Sequence, residues 1–196
     1  MSTRRLEAFT DGVFAIAATL LILDMHERGG GSLGHQLLHA WPSYLAYGVS
    51  FVSIAIAWSN HHTILELVHR TDRTFLLLHG VFLMLIAFIP FPTRLIAEHV
   101  RGPGLGAADI TYGITLIATA VMFNAIWFYA ARGRRLLRDD CDPRTVSGVT
   151  RTYLPGPWIY LGATLVALWS PTASVLLFAA ITLFWALESS VFGRSG

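Results

Sequence analysis

Six long apolar stretches, separated by short polar segments, make up most of the chain. With their flanks included, most approach the roughly 20 residues that a membrane-spanning helix needs. The predicted helices cover about residues 5–25, 41–68, 74–98, 105–131, 153–169 and 172–192, and residues 29–34, 101–106 and 132–151 are predicted loops. The pattern predicts an all-α membrane protein with six transmembrane helices in one domain over residues 1–196 and no soluble appendage.

The composition is also typical of a membrane protein. Hydrophobic residues make up 54% of it and charged residues 13%, whereas soluble domains carry about 25% charged residues. The sequence pI near 9 would also suit a nucleic-acid-binding protein. However, the 14 basic residues are all arginines and lie in short segments between apolar runs, so we expect no nucleic-acid partner. A single cysteine, Cys141, excludes an internal disulfide.

The arginines predict the orientation of the chain in the membrane. With the N-terminus inside, eleven arginines are cytoplasmic, and three (Arg28, Arg94 and Arg101) lie outside. Cytoplasmic loops normally carry the excess of positive charge. Because six crossings return the chain to its starting side, both termini are predicted to be cytoplasmic.

The first helix carries polar residues into the membrane. Its uninterrupted apolar run, residues 12–23, is too short to cross a bilayer, so the helix must begin near Arg5 and include Thr10 and Asp11. Buried charges at that depth are costly unless they are paired. Counting from the arginines that flank the helices places His61, His62, His79 and Glu188 at about the same level. We therefore expect Asp11 to accept hydrogen bonds from a histidine or from Arg5.

Three interpretations of this polar layer are open. Polar side chains can clamp membrane helices together, acids and histidines can form a proton path, or they can hold a metal ion. For a metal, His62 and Glu66 lie four residues apart with His61 adjacent, but zinc motifs need more convergent ligands. The clamp is favoured. Since no nucleophile, zinc-protease or nucleotide-binding motif is present, we predict neither an enzyme nor a bound cofactor or metal.

Above Asp11, one stripe of helix 1 carries Ile16, Leu20 and Leu23, with Thr19 beside it. Periodicity alone favours ordinary packing inside the bundle. If several copies brought helix 1 to a common axis, the same side chains would form apolar rings and one hydroxyl ring. Apolar rings of this kind can gate a channel by dewetting.

Three motifs in helices 1 to 3 resemble one known family. Arg5-x-x-x-Phe9-Thr10-Asp11, followed by GVFAIAATLL, is similar to the RxxxFSD signature that opens helix 1 in the transmembrane protein 175 family. WSNHH, from Trp58 to His62, and PFPT, from Pro90 to Thr93, follow in the expected order. Animal members of the family are endolysosomal potassium channels, and prokaryotic members are six-helix proteins with a single repeat.

The resemblance implies a homotetrameric, modestly selective potassium channel of the plasma (inner) membrane, in which helix 1 lines the pore. It implies a constriction beginning at Ile16, further apolar layers at Leu20 and Leu23, and a hydroxyl at Thr19 linked to potassium preference. The implied polar network, which ties helix 1 to its neighbours, comprises Arg5, Phe9, Thr10, Asp11, Trp58, His61, His62 and His79. The partners implied are further copies of the chain, lipid and K⁺ as the permeant ion. The alternative is a proton- or metal-coupled transporter using the histidines and Glu66.

Two residues depart from the family pattern. Thr10 replaces the usual serine and keeps the hydroxyl, so this change is mild. His79 stands where helix 3 usually carries asparagine, which would make the polar layer more sensitive to pH.

Overall fold

The computed structural model describes residues 3–23 and 32–192, with side chains described as far as Leu187; the side chain of Glu188 lies outside this part. The described residues form nine α-helices. They are α1 (Thr3–Leu23), α2 (Leu33–His39), α3 (Trp41–Leu67), α4 (Arg73–Phe88), α5 (Pro90–His99), α6 (Leu105–Ala131), α7 (Pro143–Tyr153), α8 (Gly156–Val166) and α9 (Pro171–Phe192).

Three described helical segments are long and apolar enough to cross a membrane: Thr3–Leu23, Arg73–His99 and Leu105–Arg134. A fourth crossing results if α2 and α3, which bend by 47° at their junction, count as one span. The chain is therefore an all-α, multi-pass membrane protein. Six crossings stay a prediction.

The helices differ from the predicted bounds mainly where proline intervenes. Residues 132–151, predicted as a loop, contain most of α7, which begins at Pro143. Asp142 caps this helix, because its carboxylate accepts a hydrogen bond from the Arg144 N–H at 2.8 Å. The helix predicted over 153–169 is shortened to Gly156–Val166. Pro155 stands between α7 and α8, and because proline has no N–H to donate to an earlier carbonyl, the hydrogen-bond ladder is interrupted and the chain restarts as α8.

A second proline break divides the predicted helix 74–98 into α4 and α5. Pro90 opens α5, and the Ile89 N–H turns back to the Ile86 carbonyl at 3.2 Å. Three residues further on, the Thr93 hydroxyl lies 2.8 Å from that of Ser50 in α3. Ser50 in turn lies 3.3 Å from the Tyr112 hydroxyl of α6. This buried hydroxyl cluster joins three helices at the break, where the backbone ladder is weakest.

Helix α6 lies at the centre of the protomer and packs against α4, α5, α8 and α9. Gly113 permits its close approach to α8, since a Cβ atom at that position would overlap the side chain of Thr164. Small residues at such crossings let membrane helices gain van der Waals contact, their main source of association energy.

Asp72 organises the arginine-rich end of the protein. Its carboxylate accepts hydrogen bonds from the Phe75 N–H at 2.9 Å, capping α4, and from the Tyr129 hydroxyl at 2.7 Å. Arg135 lies 3.4 Å from the same carboxylate and stacks over the Tyr129 ring. These hydrogen bonds, with a further contribution from the Arg135 charge, lower the pKa of Asp72 below its ordinary value.

Replacing Asp72 with asparagine is expected to lower the thermal unfolding midpoint at pH 7. Asparagine still caps the helix, so the loss measures the carboxylate. Because the folded-state pKa is depressed, this stabilisation is fully present above the ordinary value of 3.8 and is lost as the pH falls further, through the folded pKa. Unfolding in detergent from pH 7 to pH 3 should show the two midpoints converging. Asp139→Asn, on an exposed residue of the neighbouring loop, is the control. A difference between the two midpoints that does not shrink from pH 7 to pH 3 would contradict the account.

Candidate functional site

Helix α1 has one face covered by its own chain and one that is not. Its buried residues are Leu6, Thr10, Phe14, Ala17 and Leu21, which follow a helical repeat. On the opposite face Ile16, Leu20 and Leu23 are 60%, 40% and 67% exposed, and Thr19 beside them is also exposed. The four residues predicted to line a pore therefore share a face that the protomer leaves uncovered.

The covered face packs mainly on α3 and α4. Ala17, only 1% exposed, permits close contact, and the Phe14 ring packs 5.9 Å from the His61 ring and 6.0 Å from the Phe82 ring. Phe14 and Ala17 thus supply the close contacts on the inward side of α1. Ile16 and Leu20 are left outside although they are equally apolar.

The Thr19 hydroxyl has its proton engaged within α1. Its Oγ1 lies 2.9 Å from the Ala15 carbonyl oxygen and 3.0 Å from that of Ile16, and donates to them. A hydroxyl has one donor and two acceptor positions. On the uncovered face, Thr19 therefore offers lone pairs, which suit a cation or a water molecule.

Asp11 is tied to α3 by a tryptophan. The Trp58 Nε1–H donates to the Asp11 carboxylate at 2.8 Å. Asp11 therefore accepts a hydrogen bond from a neighbouring helix as expected, but the expectation that the donor is a histidine or Arg5 is wrong. Trp58, already part of the predicted network, supplies the donor because its indole has an N–H and no competing acceptor.

His62 makes a second link between α1 and α3. Its Nδ1 lies 3.4 Å from the Glu7 carboxylate and its Nε2 lies 3.5 Å from that of Glu66. Glu7 was not identified from the sequence. The sequence spacing could have predicted it. Glu7 and Asp11 are four residues apart on α1, and Trp58 and His62 are four residues apart on α3, so each pair lies on one face of its helix and the two pairs can meet.

His61 and His79 lie in a separate, aromatic environment. Both are buried, with ring centroids 5.1 Å apart. The His61 ring stacks on Phe82 at 5.5 Å, and His79 Nδ1 lies 2.8 Å from the Phe75 carbonyl oxygen. In the described part of the chain, neither Nε2 atom has a hydrogen-bond partner. The predicted single layer is therefore two clusters: a half-exposed one around Asp11 and His62, and a buried histidine pair.

The other network residues lie around the first cluster. Thr10 is buried and donates its hydroxyl to the Leu6 carbonyl at 2.8 Å, within its own helix. Arg5 and Phe9 are exposed, on the same side of α1 as Ile16. No group of three or more histidine, cysteine or acidic side chains suited to a metal ion occurs among the described side chains of residues 3–23 and 32–187.

The motifs and the fold have close counterparts in known proteins. A family model described as the endosomal/lysosomal potassium channel TMEM175 matches residues 5–90. A potassium channel of Chamaesiphon minutus is 42% identical over 195 residues, covering 96% of this chain and 95% of that protein. The chicken (Gallus gallus) endosomal/lysosomal proton channel TMEM175 is 36% identical over 65% of this chain and 28% of its own length.

A solved structure extends the similarity to three dimensions. The crystal structure of a lysosomal potassium-selective channel TMEM175 homologue from Chamaesiphon minutus superposes with a TM-score of 0.86 at 40% identity. The match covers 95% of this chain and 97% of that one. It thus includes the helices beyond the three that carry the motifs, and the chain belongs to the TMEM175 family of ion channels.

Proposed function

We propose that this protein is a potassium channel in which four copies bring the uncovered face of α1 to a common axis. The observation that carries the proposal is the exposure of Ile16, Thr19, Leu20 and Leu23 on one side of a helix whose other side is packed. The relatives named as potassium channels support K⁺ as the permeant ion.

An axis lined by copies of α1 suits this face better than lipid does. Large apolar side chains are satisfied in either setting. Thr19, however, is exposed beside the uncovered face, and polar groups in a membrane usually face a bundle interior or an aqueous cavity. Around an axis, Thr19 lone pairs would face permeating ions, and Ile16 would form an apolar ring closer to the end that carries Arg5.

We propose that the protein lies in the plasma membrane, that each chain crosses it six times, and that both termini are in the cytoplasm. The arginine distribution supports it. The mainly apolar face predicts modest selectivity: an ion crossing an Ile16 ring finds few oxygens to replace its water, and potassium sheds water at lower cost than sodium.

Proton permeation is a second candidate, because the chicken relative is named a proton channel. Within the described residues, the buried pair His61 and His79 is enclosed by phenylalanine rings and makes no hydrogen bond to Asp11. In the described part of the chain, no hydrogen bond links this pair to the cluster around Asp11 and His62. This separation favours potassium conduction along the α1 face.

Opening the apolar ring is expected to raise potassium flux. Ile16→Asn places an amide at the proposed constriction and removes the dewetting barrier, so flux into proteoliposomes should rise several-fold. Leu77→Asn is the matched control, because Leu77 is an aliphatic residue as exposed as Ile16 but lies on α4 rather than on α1. Flux is followed with a potassium-selective dye, and a pH dye in parallel vesicles reports protons.

Equal potassium flux through wild type and Ile16→Asn would refute the pore assignment. Proton uptake that rises in Ile16→Asn without potassium flux would instead support the second candidate. An increase in Leu77→Asn as large as that in Ile16→Asn would point to a general leak.

Removing the donor to Asp11 should weaken the protein without abolishing conduction. Trp58→Phe keeps an aromatic ring but loses the Nε1–H, leaving Asp11 without its described donor. A hydrogen bond to a charged group contributes about 1.5–3 kcal/mol, so the unfolding midpoint in detergent should fall. Trp169→Phe, at an exposed tryptophan, should be neutral.

The single-channel conductance of Trp58→Phe should match that of wild type, since Asp11 holds α1 rather than the ion. In an Asp11→Asn background, Trp58→Phe should cost less stability than it does in wild type. A lost conductance with an unchanged midpoint would place Asp11 in the ion path instead.

A further inference from the structure

A cavity with no assigned role lies between α3, α6, α8 and α9. It is open to the surface of the protein, and none of its described lining residues belongs to α1. It is thus separate from the proposed ion path.

The cavity is polar at one end and apolar at the other. Asn60 and Asn124 lie seven residues before the ends of α3 and α6, about 10 Å from the arginine-rich side. Leu116 lies about 22 Å from the same side, by the same rise per residue. The hydroxyls near that deeper end are already engaged by their own helices: Ser53 donates to the Val49 carbonyl and Thr119 to the Thr115 carbonyl.

Asn124 leaves an acceptor unsatisfied at the polar end. Its Nδ2 donates to the Ala120 carbonyl at 2.9 Å and to the Tyr153 carbonyl at 3.1 Å, which fixes the orientation of the amide. The side chain is 8% exposed. Its Oδ1 is buried and has no hydrogen-bond partner in the described part of the chain. Native proteins rarely leave such an atom unpaired, because desolvation is then uncompensated.

At the same end, Thr152 donates to the Gly148 carbonyl at 3.1 Å, whereas the Asn60–Tyr153 pair is weakly joined. The Tyr153 hydroxyl lies 3.5 Å from Asn60 Oδ1, at the limit of a hydrogen bond. No charged side chain is among the described lining residues, so a carboxylate or an ammonium group would find no counter-charge there. A hydroxyl both donates and accepts, and it therefore matches Asn124 Oδ1 and the Asn60–Tyr153 pair together.

Exposed apolar side chains lie on the α8 side of the cavity. Leu154 and Trp158, which flank the lining residue Gly156, are 48% and 68% exposed. Tryptophan at the end of a membrane helix is typical of the lipid interface. A molecule entering from this side comes from the bilayer.

We propose that the cavity binds an uncharged, single-chain amphiphile through a primary hydroxyl. The hydroxyl donates to Asn124 Oδ1 and accepts from the Asn60–Tyr153 pair, and the alkyl chain extends along α6 towards Leu116. The site is independent of the ion-conducting axis.

Photolabelling of the purified protein in detergent tests this site. The probe is 1-decanol carrying a diazirine on its chain, and the label is located by peptide mass spectrometry. We expect labelled residues on α6 and α8. We expect 1-octanol to compete roughly three- to tenfold better than methyl heptyl ether, which accepts but cannot donate, as one net hydrogen bond would require.

A pair of variants on α3 tests the position. Ala57 lines the cavity, whereas Ala55 on the same helix is exposed and does not. Ala57→Leu should reduce labelling several-fold, and Ala55→Leu should leave it unchanged, with both eluting like wild type. If Ala57→Leu does not fold, the competition on the wild-type protein decides. Label outside the cavity, equal competition by the ether, or full labelling of folded Ala57→Leu would overturn the proposal.

Discussion

The packing of one face of α1 against α3 and α4 is the constraint on which the functional account depends. Phe14 and Ala17 turn inwards, and Trp58 holds Asp11 at one end of the same interface. These contacts fix the rotation of α1 about its own axis, so only the side chains on its opposite face stay exposed. The packing therefore determines that Ile16 and Leu23 are left uncovered. The ion path that we propose is therefore a consequence of helix rotation within the protomer rather than of any residue specific to an ion.

Polar side chains in this protein fall into two groups, and the difference separates structure from candidate function. Most threonines, including Thr10 and Thr119, donate to a carbonyl four residues earlier, so they impose little cost in an apolar setting. Asn124 Oδ1 and the Nε2 atoms of the histidine pair lack such partners among the described residues. These atoms are among those at which the packing is incomplete, and Asn124 borders the cavity that we propose binds a ligand.

The sequence was sufficient for the membrane class, for the bounds of α6 and for which residues of α1 share a stripe, because these follow from hydrophobic runs and from the helical period. It did not reveal that α8 is short, since the N–H that Pro155 lacks interrupts the helix within an otherwise continuous apolar run. Nor did it separate His61 from His62. Adjacent residues point about 100° apart on a helix, so equal depth did not imply a shared cluster. The partner of Asp11 depended on the rotation of α3, which only the packed structure fixes.

The most direct test of a shared α1 axis is disulfide formation between protomers. In a Cys141→Ser background, Ile16→Cys in membranes should form oxidant-induced dimers, because four copies of an axial constriction lie within reach of one another. Leu77→Cys, on the exposed side of α4, should stay monomeric on the same gel. Efficient cross-linking at Ile16 and little at Leu77 is the predicted result. Cross-linking at Leu77 with none at Ile16 would contradict the account, because α1 would then lie away from the axis.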